Sequence, residues 1–435
     1  MVLIMYKDIL KNILPSMIAT LFTGLYVVVD GFFIGNKMGE LGLAAINIAW
    51  PITAIIIAFG VSLGTSSGIF ISYYRAKGEE EKIKKCLTNT LILGIFFVLF
   101  SFTFLFYIEP LLRLIGATDE TMNYAKSYIQ VIIYGSFFEL FGAMLIPIMR
   151  NFSHVKSAAL ILIITTGFNF LGDYLFIYKF ELELYGAAIA SVLGQALAFI
   201  LCLIVLIYNK NLKLSKELDF KYMLKLILKA IAPFILNYSA SFIIIIYNLF
   251  ALKNGGNDAV AAYTVFAYIV YIPQYIAIGV SDGVQPLLTY HYGLKDNKIK
   301  AYFYNTLWIL FLLLGILSII FTFLKNPVAA IFNLNDPKAK EIYDAGYVYF
   351  ISSFVFIGII RIFAARYYST DLSNKANLVV IIEPIITPLV LLLLTYFIGV
   401  LGVWVGFLII QITLSLLSIL FLKMPIKEFS IGKLE

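Results

Sequence analysis

The chain has 435 residues, of which 62% are hydrophobic, 16% aromatic and only 13% charged, and its mean hydropathy is +0.95. Such values lie far outside the range of water-soluble globular chains and exclude a soluble protein with an ordinary core. A net charge of +7 and a pI near 9.0 would suit nucleic acid in a soluble protein, but in so apolar a chain they reflect the sidedness of membrane insertion, and no nucleic-acid partner is expected.

A membrane-spanning helix needs about 20 mostly apolar residues. Twelve such runs follow one another, at 10–35, 43–73, 86–107, 122–149, 157–178, 184–208, 222–251, 259–289, 302–324, 343–365, 377–397 and 400–422. The opening stretch MVLIMYKDILKN lacks the small-residue cleavage pattern of a signal peptide, so the first run is expected to stay as a span. Cys86 and Cys202 are the only cysteines and His154 and His291 the only histidines, which leaves almost no material for a disulfide or a His/Cys metal site.

Lys and Arg gather in alternate loops: Arg75, Lys77, Lys82, Lys84 and Lys85; Arg150 and Lys156; the run Lys210 to Lys229; Lys295, Lys298 and Lys300. Retention of basic loops on the cytoplasmic side predicts a multi-pass protein with both termini cytoplasmic.

The longest basic loop, 209–221, divides the chain into six spans and six, giving lobes at 1–214 and 215–435. The halves echo each other. GVSLGTSSG in the second span matches GVSDGVQP in the eighth, and Gly186 with Gln195 in the sixth matches Gly402 with Gln411 in the twelfth. An even number of spans per repeat keeps both lobes in one orientation, so an all-α fold is expected whose two six-helix lobes are related by a pseudo-two-fold axis along the membrane normal. Two such lobes would rock about a central cavity, and Pro15, Pro51, Pro233 and Pro273 supply kink points.

Two carboxylates sit inside apolar runs, Asp30 in the first span and Asp173 in the fifth. An intramembrane charge costs roughly 3 kcal/mol or more, which points to use in carrying an ion or a proton. Asn169 lies on the same helical face as Asp173, one turn away, and Ser191 in the sixth span is at similar depth. Together they offer oxygen ligands for a small hard cation such as Na⁺, or paired carboxylates that share a proton. The plainer alternative is that they cross-link helices, but such contacts average only about 0.6 kcal/mol, a weak reason to keep two acids.

Further candidates line the expected cavity. Arg361 and Glu383, in the tenth and eleventh spans, are expected to pair with each other, since either alone in hydrocarbon is costly. Glu139 in the fourth span could attract a cationic substrate, and Asp282 near the inner end of the eighth could be wetted from the cytoplasm. The string YIVYIPQY offers Tyr271, Gln274 and Tyr275 as an aromatic wall for organic cations, with Gln285 farther along the same span.

LYVVVDGFFIGNKMGELGLAAINIAWPI in the first two spans, FNFLGDYLFIYKFELELYGAAIASVLGQ in the fifth and sixth, and GVQPLLTYHYG ending the eighth make the chain similar to the multidrug and toxic compound extrusion (MATE) transporters along essentially its whole length. The resemblance implies secondary active export of organic, often cationic and amphipathic compounds by antiport with H⁺ or Na⁺, without a resident cofactor, from the cytoplasmic membrane of a prokaryote. It also implies a coupling site at Asp30, Asn169, Asp173 and Ser191, with Na⁺ held by the first three, and a hinge at Pro15. The protein would work as a monomer in the lipid bilayer. The family often has Thr where this chain has Ser191, and Glu139 stands in place of the polar residue expected on the fourth span. A flippase for a lipid-linked saccharide is the alternative transporter reading, although Arg361 is the one Arg within a predicted span. No HExxH or clustered acid motif supports an enzyme.

Overall fold

The computed structural model describes residues 2–332, 334 and 336–425. Among them every regular element is a helix, as hydrocarbon requires of segments that must satisfy their own backbone groups. Among the described residues ten helices are long and apolar enough to cross a bilayer. The pair Asp119–Tyr134 and Ser136–Asn151, bent by 63°, adds an eleventh, and a break at Gly256 divides the 74-residue helix Phe220–Gly293. All twelve predicted spans therefore have a helix. The predicted edges were often short: the third span runs Glu80–Ile115 and the tenth Pro337–Tyr368.

The two halves repeat in backbone geometry as well as in sequence. Helix Val2–Lys77 leaves helical angles only at Gly39, with φ 64° and ψ −153°, and its counterpart leaves them at Gly256, with φ 64° and ψ −157°. An L-residue rarely adopts this conformation, so glycine here turns the first span into the second, and the seventh into the eighth, without a loop. The fourth span breaks at Gly135, and the tenth breaks where Ser353–Phe356 tightens into a 3₁₀ turn before Gly358, at φ 84°. At Pro15 the first helix keeps helical angles, so the expected hinge shows no break.

The lobes meet along the first and eighth spans and the second and seventh. Gly279 and Gly283 make close approach possible: a Cβ on Gly279 would fall 2.3 Å from Met17 Cα, and one on Gly283 2.7 Å from the Asn12 carbonyl oxygen. The seam carries Thr20 Oγ1 donating to the Tyr275 carbonyl at 2.8 Å, Ser66 Oγ to the Leu226 carbonyl at 2.6 Å and a Phe59–Phe234 ring pair at 4.9 Å. These contacts run from mid-bundle toward the end that carries the basic loops, hereafter the basic end.

The connection between lobes at the basic end is strapped to the third span. Thr88 Oγ1 donates to the Ser215 carbonyl and accepts from its N–H, Asn89 Oδ1 accepts the Asp219 N–H at 3.0 Å, and Lys85 Nζ lies 3.0 Å from Asp219 Oδ2. Asp219 also caps the next helix by accepting from the Tyr222 N–H. The Lys85 ammonium, and then the Tyr222 N–H, hold the Asp219 carboxyl below the usual carboxylate range.

Candidate functional site: a carboxylate cluster in the first lobe

Asp30, Asn169, Asp173 and Ser191 come together where the first, fourth, fifth and sixth spans of the first lobe converge. Phe33, one turn beyond Asp30, packs its ring edge to face with Phe170 at 5.3 Å and Tyr178 at 5.5 Å, which seats the first span on the fifth. The fifth and sixth spans approach closely because Gly172 faces Ala190 and Gly194 faces Asn169. Asp173 ends a regular α-helix, and the six residues after it, Tyr174–Lys179, form a π-turn. Such turns are rare and often mark functional sites.

The hydrogen-bond account of this cluster does not close. Asp173 is fully buried and both of its oxygens lack a partner; Asn169 is 5% exposed and both polar atoms of its amide lack one; Asp30 Oδ1 is likewise buried and unpaired. Buried polar groups are nearly always satisfied, so this many orphans in one place mark a position built for something else. Asp30 and Asp173 are near enough that each acts on the other electrostatically. Two carboxylates side by side and out of water require compensation by a proton or a cation. Their free oxygens, with the Asn169 carbonyl, fit a hard cation by donor type. Among the described residues no three His, Cys, Asp or Glu side chains gather to hold a metal ion.

Tyr128, on the broken fourth span, joins the cluster, with Glu139 farther along that span. Tyr128 is buried, lies within hydrogen-bonding reach of Ser191, and sits in the field of Asp30, Glu139 and Asp173. It supplies a hydroxyl from the fourth span, and a tyrosine among apolar residues gave no signal in the sequence. Glu139 is 1% exposed with Oε1 unpaired, and it acts on the same Tyr128.

The second lobe departs from expectation at three places. Among the described residues no ion pair joins Arg361 and Glu383: Arg361 Nη2 donates to the Leu236 carbonyl at 2.8 Å, and Glu383 Oε1 accepts from Gln411 Nε2 at 3.1 Å. A backbone oxygen and an amide thus meet the needs that an opposite charge was expected to meet, although Glu383 still feels Arg361. Gln285, expected toward the cavity, is 4% exposed, accepts from Asn151 Nδ2 at 2.9 Å and donates to Thr289. Lys229, read in the sequence as part of a basic loop, is buried and donates from Nζ to the carbonyls of Tyr368 and Thr370, at the C-terminal end of the tenth span, where cations are favoured. Tyr275 lays its ring on Gly24 at the seam; Tyr271, one turn farther from the basic end, is half-buried beside it, and the adjacent Gln274 is half-buried too.

The fold and this site define a multi-pass helical membrane protein of two repeated six-helix lobes, with an unsatisfied carboxylate cluster in the first. A family model described as MatE matches residues 15–175 and 230–382, one stretch in each half. The chain belongs to the MatE family. It is similar to the multidrug export protein MepA of Staphylococcus aureus (strain N315), with 27% identity over 68% of this chain; that match spans 66%, just under two thirds, of the relative's length. It is also similar to MepA of Staphylococcus saprophyticus, with 22% identity over 99% of this chain and 96% of the relative. A solved structure of MATE in complex with MaL6 superposes with a TM-score of 0.89, at 20% identity over 95% of this chain and 94% of that one. An outward-facing multidrug resistance MATE family transporter gives 0.88, at 21% identity and the same coverage.

Proposed function

We propose that the protein is a secondary active transporter that exports organic, often cationic and amphipathic compounds by antiport with H⁺ or Na⁺, and that Asp30, Asn169, Asp173 and Ser191 hold the coupling ion. One observation carries this reading: two neighbouring carboxylates with both oxygens of Asp173 and Oδ1 of Asp30 buried and without protein partners. An ion bound there stabilises one arrangement of the lobes over the other, and that difference couples its movement to that of the substrate. Tyr271 and Tyr275, with Gln274, contribute a polar-aromatic wall to the substrate path, and Arg361 lies near enough to Tyr275 to act on it. Pro15, which offers no N–H to the carbonyl one turn before it, is the weak point at which the first helix bends.

The names of the staphylococcal relatives support a multidrug substrate range. We place the protein in a bacterial cytoplasmic membrane as a monomer, with its basic end and both termini cytoplasmic; residues 426–435 lie outside the described structure. In that orientation the lobes are joined on the cytoplasmic side, and substrate leaves by the other.

Proteoliposomes with Na⁺ and pH gradients imposed separately test this. Wild-type protein is expected to move a cationic dye under at least one gradient. Asp30→Asn and Asp173→Asn should each abolish gradient-driven transport while leaving the protein folded and able to bind dye. Ser191→Ala should weaken it less, because a hydroxyl supplies one neutral ligand and a carboxylate supplies charge. Normal transport by both Asn variants would move the coupling site elsewhere. Movement of a lipid-linked saccharide, with no movement of dye, would establish a flippase instead.

A further inference from the structure

Arg150 and Asp282 play no part in the carboxylate site, yet they form a partly buried ion pair that crosses from one lobe to the other. Arg150, at the end of the fourth span, has a side chain only 6% exposed, and its Nη1 lies 2.5 Å from Oδ2 of Asp282 in the eighth. One residue along, Asn151 Nδ2 donates to Gln285 Oε1 at 2.9 Å, again from fourth span to eighth. Asn151 is itself fixed within its own lobe: its Oδ1 accepts from Ser72 Oγ at 2.7 Å and its carbonyl accepts from Arg75 Nη1 at 2.5 Å. Gly68 leaves room for this amide, since a Cβ there would fall 2.2 Å from Asn151 Nδ2.

The surroundings of the pair are asymmetric. Asp282 also feels Arg361 of its own lobe, and its side chain is 35% exposed. Parting of the lobes would leave Asp282 with water and a second guanidinium. Arg150 would lose its carboxylate, and the other groups facing it are Tyr368 of the second lobe and Cys202 of its own. A buried charge stripped of its partner is costly, so the closed seam depends on this pair. Pro286 bears no N–H for the Asp282 carbonyl one turn before it, which loosens the eighth helix at this point.

We propose that Arg150–Asp282, backed by Asn151–Gln285, is a latch that holds the lobes together at the basic end and must break for that end to open. Its role in a transport cycle rests on the transporter reading; its existence as a latch does not. Pulsed electron resonance between spin labels on Lys156→Cys and Lys300→Cys, both exposed at the basic end, reads the separation of the lobes whatever is transported. The native Cys86 and Cys202 are buried and stay unlabelled.

Asp282→Asn and Arg150→Gln should each raise the open-to-closed ratio on the order of tenfold, within the range of known coupling energies. The double variant should shift it no further than either single one, and Asp282→Glu should stay near wild type. Gln285→Leu, which removes the neutral arm, should give a smaller shift in the same direction, and it serves as the test if the charge variants do not fold. Distances unchanged in every variant, or single effects that multiply in the double variant, would overturn the latch.

Discussion

Asp173 and Asn169 could be recognised in the sequence because each is out of place in an apolar run, and the helical period put them on one face. Tyr128 could not, because a tyrosine in a membrane helix has many uses and only the assembled bundle brings it to Ser191. The Arg361–Glu383 expectation failed for a related reason. Charge opposition along a sequence says that a buried ion needs a partner, but not whether an acid, an amide or a carbonyl will arrive there first. The structure gives Glu383 to Gln411 and Arg361 to the Leu236 carbonyl. A double-mutant cycle on thermal stability should therefore find Arg361 and Glu383 nearly additive, within about 0.5 kcal/mol, while Glu383 and Gln411 couple by about 0.5–3 kcal/mol. Strong coupling between Arg361 and Glu383 would restore the direct pair.

Among the elements, all twelve spans were legible because hydrocarbon demands long uninterrupted apolar runs, a pattern that needs no tertiary context. Their interruptions were not. Glycines are plentiful in this chain, and nothing in the sequence singles out Gly39, Gly135 and Gly256 as the ones that leave or bend the helix. A Cβ on Gly39 or Gly256 would meet nothing within 4 Å, so the penalty of a side chain there is purely conformational. Gly39→Ala and Gly256→Ala should lower stability by similar amounts, about 1–3 kcal/mol each. Gly315→Ala, in open space and in a regular helix, should be neutral or stabilising by about 0.5–1 kcal/mol. Thermal unfolding in detergent distinguishes these, and an unequal response of the two corner glycines would argue against equivalent turns.

At the scale of the whole molecule the internal echo in the sequence foretold the repeat, and the matching corner angles are its strongest structural expression. How the repeats are joined was hidden, because the seam is built from backbone approach at Gly279 and Gly283 and from paired side chains far apart in the chain. The linking segment was read as a mere midpoint; its anchorage to Thr88, Asn89 and Lys85 makes it part of the first lobe's surface. That anchorage, together with the seam, predicts that covalent continuity between the halves is dispensable. A gene cut between the codons for Leu214 and Ser215 leaves Ser215, Glu217 and Asp219 as a docking tail on the second polypeptide, ready to clip onto the first. Co-expressed, the pieces 1–214 and 215–435 should copurify through a tag on either one, and Asn89→Ala combined with Lys85→Ala should weaken their association while the seam still holds. Fragments that never associate would show that one continuous chain is what keeps the lobes in register.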